Sequence, residues 1–169
     1  MYNITMKKQL ITWCDVEHYV QEILRQMQRD KWMPDYVVGL TRGGLVPANM
    51  ISQYLDVPME TLKVKLRDHA GTESNTWMPV DAFGSNEDAG LNILIVDDIN
   101  DSGATLNWIK EDWQSNNLPG NSKWQEIWSN TVRVAVLVDN EASSSELKIS
   151  YSAIDLNRSE EHTSELQSH

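Results

Sequence analysis

A single cysteine, Cys14, stands in a chain of 169 residues, so no intrachain disulfide framework is available and the fold must rest on core packing. Cys14 reads as a packing or cap-adjacent residue. Positive charge is scarce: 14 Lys and Arg face 25 Asp and Glu, a formal net charge of -11. That balance argues against sequence-independent nucleic-acid binding, where phosphate backbones are met by Lys and Arg. No apolar run is long enough to cross a membrane as a helix. The N-terminal residues show no basic segment followed by an apolar stretch and a small-residue cleavage site, so a cytoplasmic location is expected. The aromatic content is unusual, with seven Trp beside one Phe. Trp108, Trp113, Trp124 and Trp128 fall near helical spacing and read as core. The length suits one domain.

What is present alternates between helical and strand patterns. Thr12-Trp13-Cys14-Asp15 has the form of a capping box, and Val16, Val20, Ile23, Leu24 and Met27 then recur at helical spacing toward a break near Pro34. Leu45 to Tyr54 reads as a second helix, and Thr61 to Lys65 alternates like a strand with one polar face. From Arg67 to Gly90 the chain is rich in Asp, Gly, Ser, Asn and Glu, which predicts a long mobile loop. A helix from Ala104 to about Ser115 meets the breaker cluster Asn116 to Gly120. Val132 to Val138 reads as a strand, and a weaker one follows around Ile149 to Ala153. Residues 158–169 have neither periodicity nor turn logic and resemble translated sequencing-adapter read-through. They are expected to be a non-native tail, which leaves a C-terminally truncated domain over 1–157 and removes His162 and His169 as candidate ligands.

The most informative stretch runs from Ile93 to Thr105. Ile93-Leu94-Ile95-Val96 reads as a strand of a parallel sheet, buried on both faces, and it ends in Asp97 and Asp98. Asp101, Ser102, Gly103, Ala104 and Thr105 then read as a tight turn opening a helix. Free N–H groups at such a helix start, the macrodipole and the hydroxyls of Ser102 and Thr105 suit a phosphate, and Gly103 would let the backbone approach it. Paired carboxylates at the carboxyl end of a strand suit vicinal hydroxyls or Mg2+. Phosphate at one end and diol at the other describe a phosphorylated ribose.

Upstream, Tyr36-Val37-Val38-Gly39-Leu40 reads as another buried strand. Thr41-Arg42-Gly43-Gly44-Leu45 follows as a loop into a helix with Pro47 in its first turn. Gly43 and Gly44 permit backbone conformations closed to other residues. Arg42 would oppose the charge of a diphosphate or, pointing away, anchor the turn.

The stretch Ile93 to Thr105 resembles the phosphoribosyl diphosphate (PRPP) motif of the type I phosphoribosyltransferases, in which four hydrophobic residues, two acidic ones and a D-[ST]-G-x-T loop occur in that order. Arg42-Gly43-Gly44 is similar to the diphosphate loop of the relatives acting on 6-oxopurines. The resemblance covers roughly Thr12 to Asn157, weakening away from the two loops. It implies an α/β fold, a five-stranded parallel sheet flanked by helices, with a mobile loop over the site and a truncated C-terminal hood. The implied activity is magnesium-dependent transfer of phosphoribose from PRPP to a purine base, most like the hypoxanthine or xanthine-guanine enzymes. Asp97 and Asp98 would hold the ribose hydroxyls and Mg2+, Asp101 to Thr105 the 5′-phosphate, and Arg42 with Gly43 the diphosphate. The carboxylate of Asp101 would lie near N7 of the base as general acid or base, or else cap the helix.

The sequence also departs from that family. Many 6-oxopurine relatives carry a lysine after the strand matching Val132 to Val138, where this chain has Asp139-Asn140, so the contact to the purine oxygen is unassigned. The family's Ser-Tyr pair near the start of the mobile loop is replaced by Leu66-Arg67-Asp68-His69, and Arg67 becomes a possible lid residue reaching the diphosphate. The hood that stacks on the base would begin near Tyr151. The implied partners are PRPP and a purine base, with no membrane, and a homo-oligomer by analogy with a family that often dimerises. Two other readings remain open: a transferase for another nitrogen base, and a non-catalytic PRPP-sensing regulator of the same fold, against which the acidic charge weighs.

Overall fold

The computed structural model describes residues 10–64, 77–84, 89–116 and 122–156. Five strands form one sheet in which every pairing is parallel: β1 (Tyr36–Thr41), β2 (Met59–Lys63), β3 (Ile93–Asn100), β4 (Val132–Asn140) and β5 (Tyr151–Leu156), in the spatial order β2-β1-β3-β4-β5. That order reverses direction between β1 and β3, the topological switch point at which open α/β sheets bind their ligands.

The helices cover the two faces. On one side lie α1 (Trp13–Arg29) and α2 (Leu45–Leu55), whose Val20, Ile23, Met27, Ala48 and Ile51 pack on Val37, Leu94, Val96, Ala135 and Leu137. On the other, α3 (Trp77–Phe83) and α4 (Ala104–Asn116) cover the alternate residues Val38, Leu40, Ile93, Ile95, Val134 and Val136. Successive strand residues thus feed two cores, which is why the strands read as continuous apolar runs. The capping box at Thr12 and Asp15 is formed, each side chain accepting from the other's backbone N–H. At the far end of α1, Arg133 on β4 donates to both Asp30 and the Tyr151 hydroxyl, tying the helix to β4 and β5. The tryptophan reading holds: Trp113 and Trp124 are buried, and Trp128 stacks on Trp113 with ring centroids 5.4 Å apart. None of the helices among the described residues is long and apolar enough to cross a membrane.

The structure moves several boundaries. β2 begins two residues before the expected strand because Asp56 turns the chain in the left-handed region at the end of α2 and the Pro58 carbonyl accepts from Val37 N–H, setting the register Val37↔Met59. The segment Arg67 to Gly90 is not loop throughout: α3 lies within it, anchored by buried Met78, Pro79 and Ala82. Its pinning is specific, since Tyr36 donates to Asp81 and Thr131 donates to the Ala82 carbonyl. Residues 67–76 and 85–88 of that expected loop, Arg67 among them, lie outside the described residues, as does the expected tail from 158. The final strand occupies Tyr151–Leu156, and Tyr151 is a buried core residue of that strand rather than the start of a hood.

Truncating Trp113 to alanine removes a fully buried ring from between α4 and the sheet, and is expected to cost about 3–5 kcal/mol of stability in urea denaturation.

Candidate functional site

The site follows from where two strands part. β1 and β3 pair only from Tyr36↔Ile93 to Gly39↔Val96, whereas β3 stays with β4 as far as Asn100↔Asp139. Beyond Val96 the carboxyl ends of β1 and β3 are no longer joined, and the loop after β1 occupies that opening. Asp97 and Asp98 are therefore strand residues beside a crevice, toward the carboxyl end of β3 as the sequence places them.

Two glycines fit the upstream loop into this place. A Cβ on Gly43 would collide with the Asp98 carboxylate, and one on Gly44 would collide with the Val96 carbonyl and the backbone of Leu40. Neither glycine has a positive φ. What requires them is close approach rather than the unusual backbone angles expected from sequence. Arg42 is exposed and forms no ion pair among the described residues, and the Thr41–Arg42 peptide bond is cis.

Below that loop, a pocket of about 260 Å3 is walled by the residues from Asp97 to Leu106 together with Val136. It contains Asp97, Asp98, Asp101, Ser102, Gly103, Ala104 and Thr105, while Arg42 and Gly43 stand outside its wall. The sequence reading gave no role to Ile99, yet its side chain is 46% exposed and forms an apolar part of that wall. Its only signal was a β-branched residue on the solvent side of a strand end.

The turn that opens α4 lies where the sequence places it, with a different division of labour. Ser102 Oγ accepts from Ala104 N–H at 3.3 Å, and the first regular helical bond runs from Asn107 N–H to the Gly103 carbonyl at 3.0 Å. Ser102 Oγ thus meets the first N–H of α4 from just before the N-cap position, and the remaining first-turn N–H groups have no intrahelical acceptors. The Asp101 carboxylate accepts instead from Asn140 Nδ2 at 3.0 Å. Gly103 has φ +84, and a Cβ there would strike the backbone of Ser144 and Ser145, so this glycine joins two loops as well as opening the helix.

The end of β4 and the loop after it, residues 139–146, join the site; of these the sequence singled out only Asp139-Asn140. Asn100 donates to Asp139 and to Ser143 Oγ, both at 2.8 Å. Ser144 donates to the Ser102 carbonyl from its N–H at 3.1 Å and its Oγ at 2.9 Å. Asn107 closes the set by donating to the Ser144 carbonyl and accepting from Glu146 N–H. Such contacts join residues about 40 apart in the chain and leave no local pattern to read.

Charge is concentrated at the carboxylate pair. Burial, then the side chain and charge of Asp98, push the Asp97 carboxyl up to about 7, against the bond it accepts from Asp98 N–H at 2.9 Å. The site holds more negative charge than the protein relieves. Chemically, the arrangement offers adjacent carboxylates for a diol or a cation, and helix-start N–H groups for an anion.

The chain matches the model of the phosphoribosyl transferase domain over residues 7–165. It is 31% identical to a xanthine-guanine phosphoribosyltransferase of Vibrio parahaemolyticus over 62% of this chain and 65% of that one. With a xanthine-guanine phosphoribosyltransferase of Cereibacter sphaeroides it shares 40% identity over 44% of each chain. It thus spans less than two thirds of the length of these curated relatives. Its fold is similar to that of the Helicobacter pylori xanthine-guanine-hypoxanthine phosphoribosyltransferase, at a TM-score of 0.56 and 18% identity, covering 94% of this chain and 97% of the other.

Two outcomes follow from the site's packing and charge. Gly103→Ala adds backbone strain to a collision with Ser145 and is expected to cost about 3 kcal/mol by chemical denaturation. Because the Asp97 pKa is raised from 3.8 to about 7, the folded state binds this proton more tightly than the unfolded chain. The associated stability is complete below pH 4 and lost as pH rises through about 7. In metal-free buffer, Asp97→Asn should therefore be more stable than the parent at pH 8, by about 2 kcal/mol after solvent screening. That advantage should vanish toward pH 4.

Proposed function

The chain belongs to the phosphoribosyl transferase family, and on that premise we propose that it transfers a phosphoribosyl group from PRPP to a purine base, giving a nucleoside monophosphate and diphosphate. The observation that carries this reading is the closure of Gly43 against Asp98 at the β1/β3 switch point. It sets a diphosphate-type loop, a carboxylate pair and a phosphate-type helix start around one crevice. The names and similarity of the xanthine-guanine relatives support a purine as acceptor.

In this reading the backbone N–H groups at the start of α4, with Ser102, Ala104 and Thr105, hold the 5′-phosphate, and Gly103 keeps their loop in place. Asp97 and Asp98 accept from the ribose hydroxyls. Gly43 brings backbone to the diphosphate, and Arg42 opposes its charge. Ile99 offers an apolar surface at the mouth of the same pocket. Positioning and charge stabilisation supply most of the catalysis, since the reacting bonds belong to the two substrates. Asp101 is the one side chain given a proton-transfer role, toward the ring nitrogen of the base.

The carboxylate pair also fits a Mg2+. Burial and the neighbouring Asp98 penalise charge on Asp97, and a cation would relieve it. Among the described residues no group of three or more His, Cys, Asp or Glu is placed to hold a metal. That suits an ion which keeps water ligands and takes others from a phosphorylated substrate. When bound, Mg2+ would supply charge neutralisation on the departing diphosphate.

Asp139-Asn140 stand where many 6-oxopurine relatives carry a lysine, so base preference is best measured over a panel. Chromatography of PRPP and Mg2+ with guanine, hypoxanthine, xanthine, adenine and a pyrimidine should show a nucleoside monophosphate from at least one purine. Asp98→Asn should lower kcat/KM for PRPP by 10-fold or more, of order 1.4 kcal/mol. Product from the pyrimidine alone would move the assignment to another nitrogen base. PRPP binding without turnover of any base would favour the sensing regulator.

A further inference from the structure

We propose that Asn140 is a positioning residue for Asp101, holding one carboxylate oxygen so that the other faces the base. This inference rests on the transferase reading above. Asn140 ends β4 and is 4% exposed. Its Nδ2 donates to Asp101 Oδ1 at 3.0 Å and to the Asp101 carbonyl at 3.3 Å, and its Oδ1 accepts from Ala142 N–H at 3.1 Å. Both amide hydrogens and the carbonyl oxygen are thus engaged inside the protein. Asn140 has no donor left for a purine oxygen, so it does not replace the family's lysine as a substrate contact; it acts through Asp101.

Strand register makes this possible. Asn100 on β3 lies opposite Asp139 on β4, and the two amides cross: Asn100 reaches Asp139 and Ser143 on the β4 side, while Asn140 reaches back to Asp101 on the β3 side. Asp101 itself is exposed and lines the pocket, and among the described residues nothing else donates to its carboxylate. An exposed aspartate would otherwise sample several rotamers, and a displacement of about 1 Å at a reacting group can cost 100-fold in rate.

The step served is a proton transfer. As N9 of the purine forms its bond to C1′ of the ribose, the C1′–O bond to diphosphate breaks and diphosphate leaves with the electron pair. The proton on N7 passes to the free carboxylate oxygen of Asp101 and from there to solvent.

The test is a double-mutant cycle in kcat with Asn140→Asp and Asp101→Asn. Asn140→Asp is nearly isosteric and keeps an acceptor for Ala142 N–H, but it sets an acceptor where Asp101 needs a donor. In the parent background kcat should fall about 10- to 100-fold, with KM for PRPP changed by less than about 2-fold, since the phosphate contacts are untouched. In the Asp101→Asn background the same substitution should cost much less, because the side-chain donor and acceptor have exchanged places and only the 3.3 Å bond to the residue-101 carbonyl is lost. An equal loss in both backgrounds, or full activity in Asp101→Asn, would overturn the proposal. If the parent protein turns over no base, the transferase reading fails, and the urea midpoints of the same four proteins test the contact on their own. Non-additive midpoints are expected; additive ones would overturn it.

Discussion

The site depends on one departure from regular sheet pairing: β3 leaves β1 after Val96 while remaining bonded to β4 for four more residues, to Asn100. A sheet that paired uniformly would hold the two carboxyl ends together and leave no crevice. The opening admits the loop after β1, and that loop can enter only because glycine stands at the two points of closest approach. Gly44 lies on the backbone of both strands, and Gly43 on the Asp98 carboxylate. Fold and site are therefore one construction, since the contacts that close the sheet's upper edge also bring the two sequence motifs together.

That construction carries an electrostatic cost. Asp97 sits where burial and a neighbouring carboxylate both disfavour its charge. The nearby Arg42 makes no compensating ion pair among the described residues. Among the described residues the carboxylate pair has no ion-pair partner and the first N–H groups of α4 have no intrahelical acceptors, an arrangement preorganised for a ligand that carries both a cation and an anion. In the proposed reading a metal-bound sugar phosphate meets that description.

Much of this was legible in the sequence because it is local. The capping box of α1, the apolar runs of β1, β3 and β4, and the turn from Asp101 to Thr105 each announce themselves within a few residues. α3 was hidden because the polar composition around it masks three buried anchors, Met78, Pro79 and Ala82. The ends of β2 and β5 shifted because parallel register is set by the neighbouring strand, which a single-strand pattern does not contain. The crossed amides of Asn100 and Asn140 were invisible for the same reason, as they join chain positions that only the fold makes adjacent. The sequence also suggested an N-cap role for Asp101, but the N-cap position belongs to Gly103 and the Asp101 carboxylate accepts from Asn140 instead.

In the proposed reading two loops far apart in sequence act as one site, and calorimetry of PRPP against ribose 5-phosphate separates their contributions. The two ligands share the 5′-phosphate and the diol, and differ in the diphosphate assigned to Arg42 and Gly43. With Mg2+ present, PRPP should bind at one per chain and at least 10-fold more tightly than ribose 5-phosphate, a difference of about 1.4 kcal/mol or more. Equal affinities would mean that the loop after β1 contributes nothing to binding and that the two motifs do not form one site.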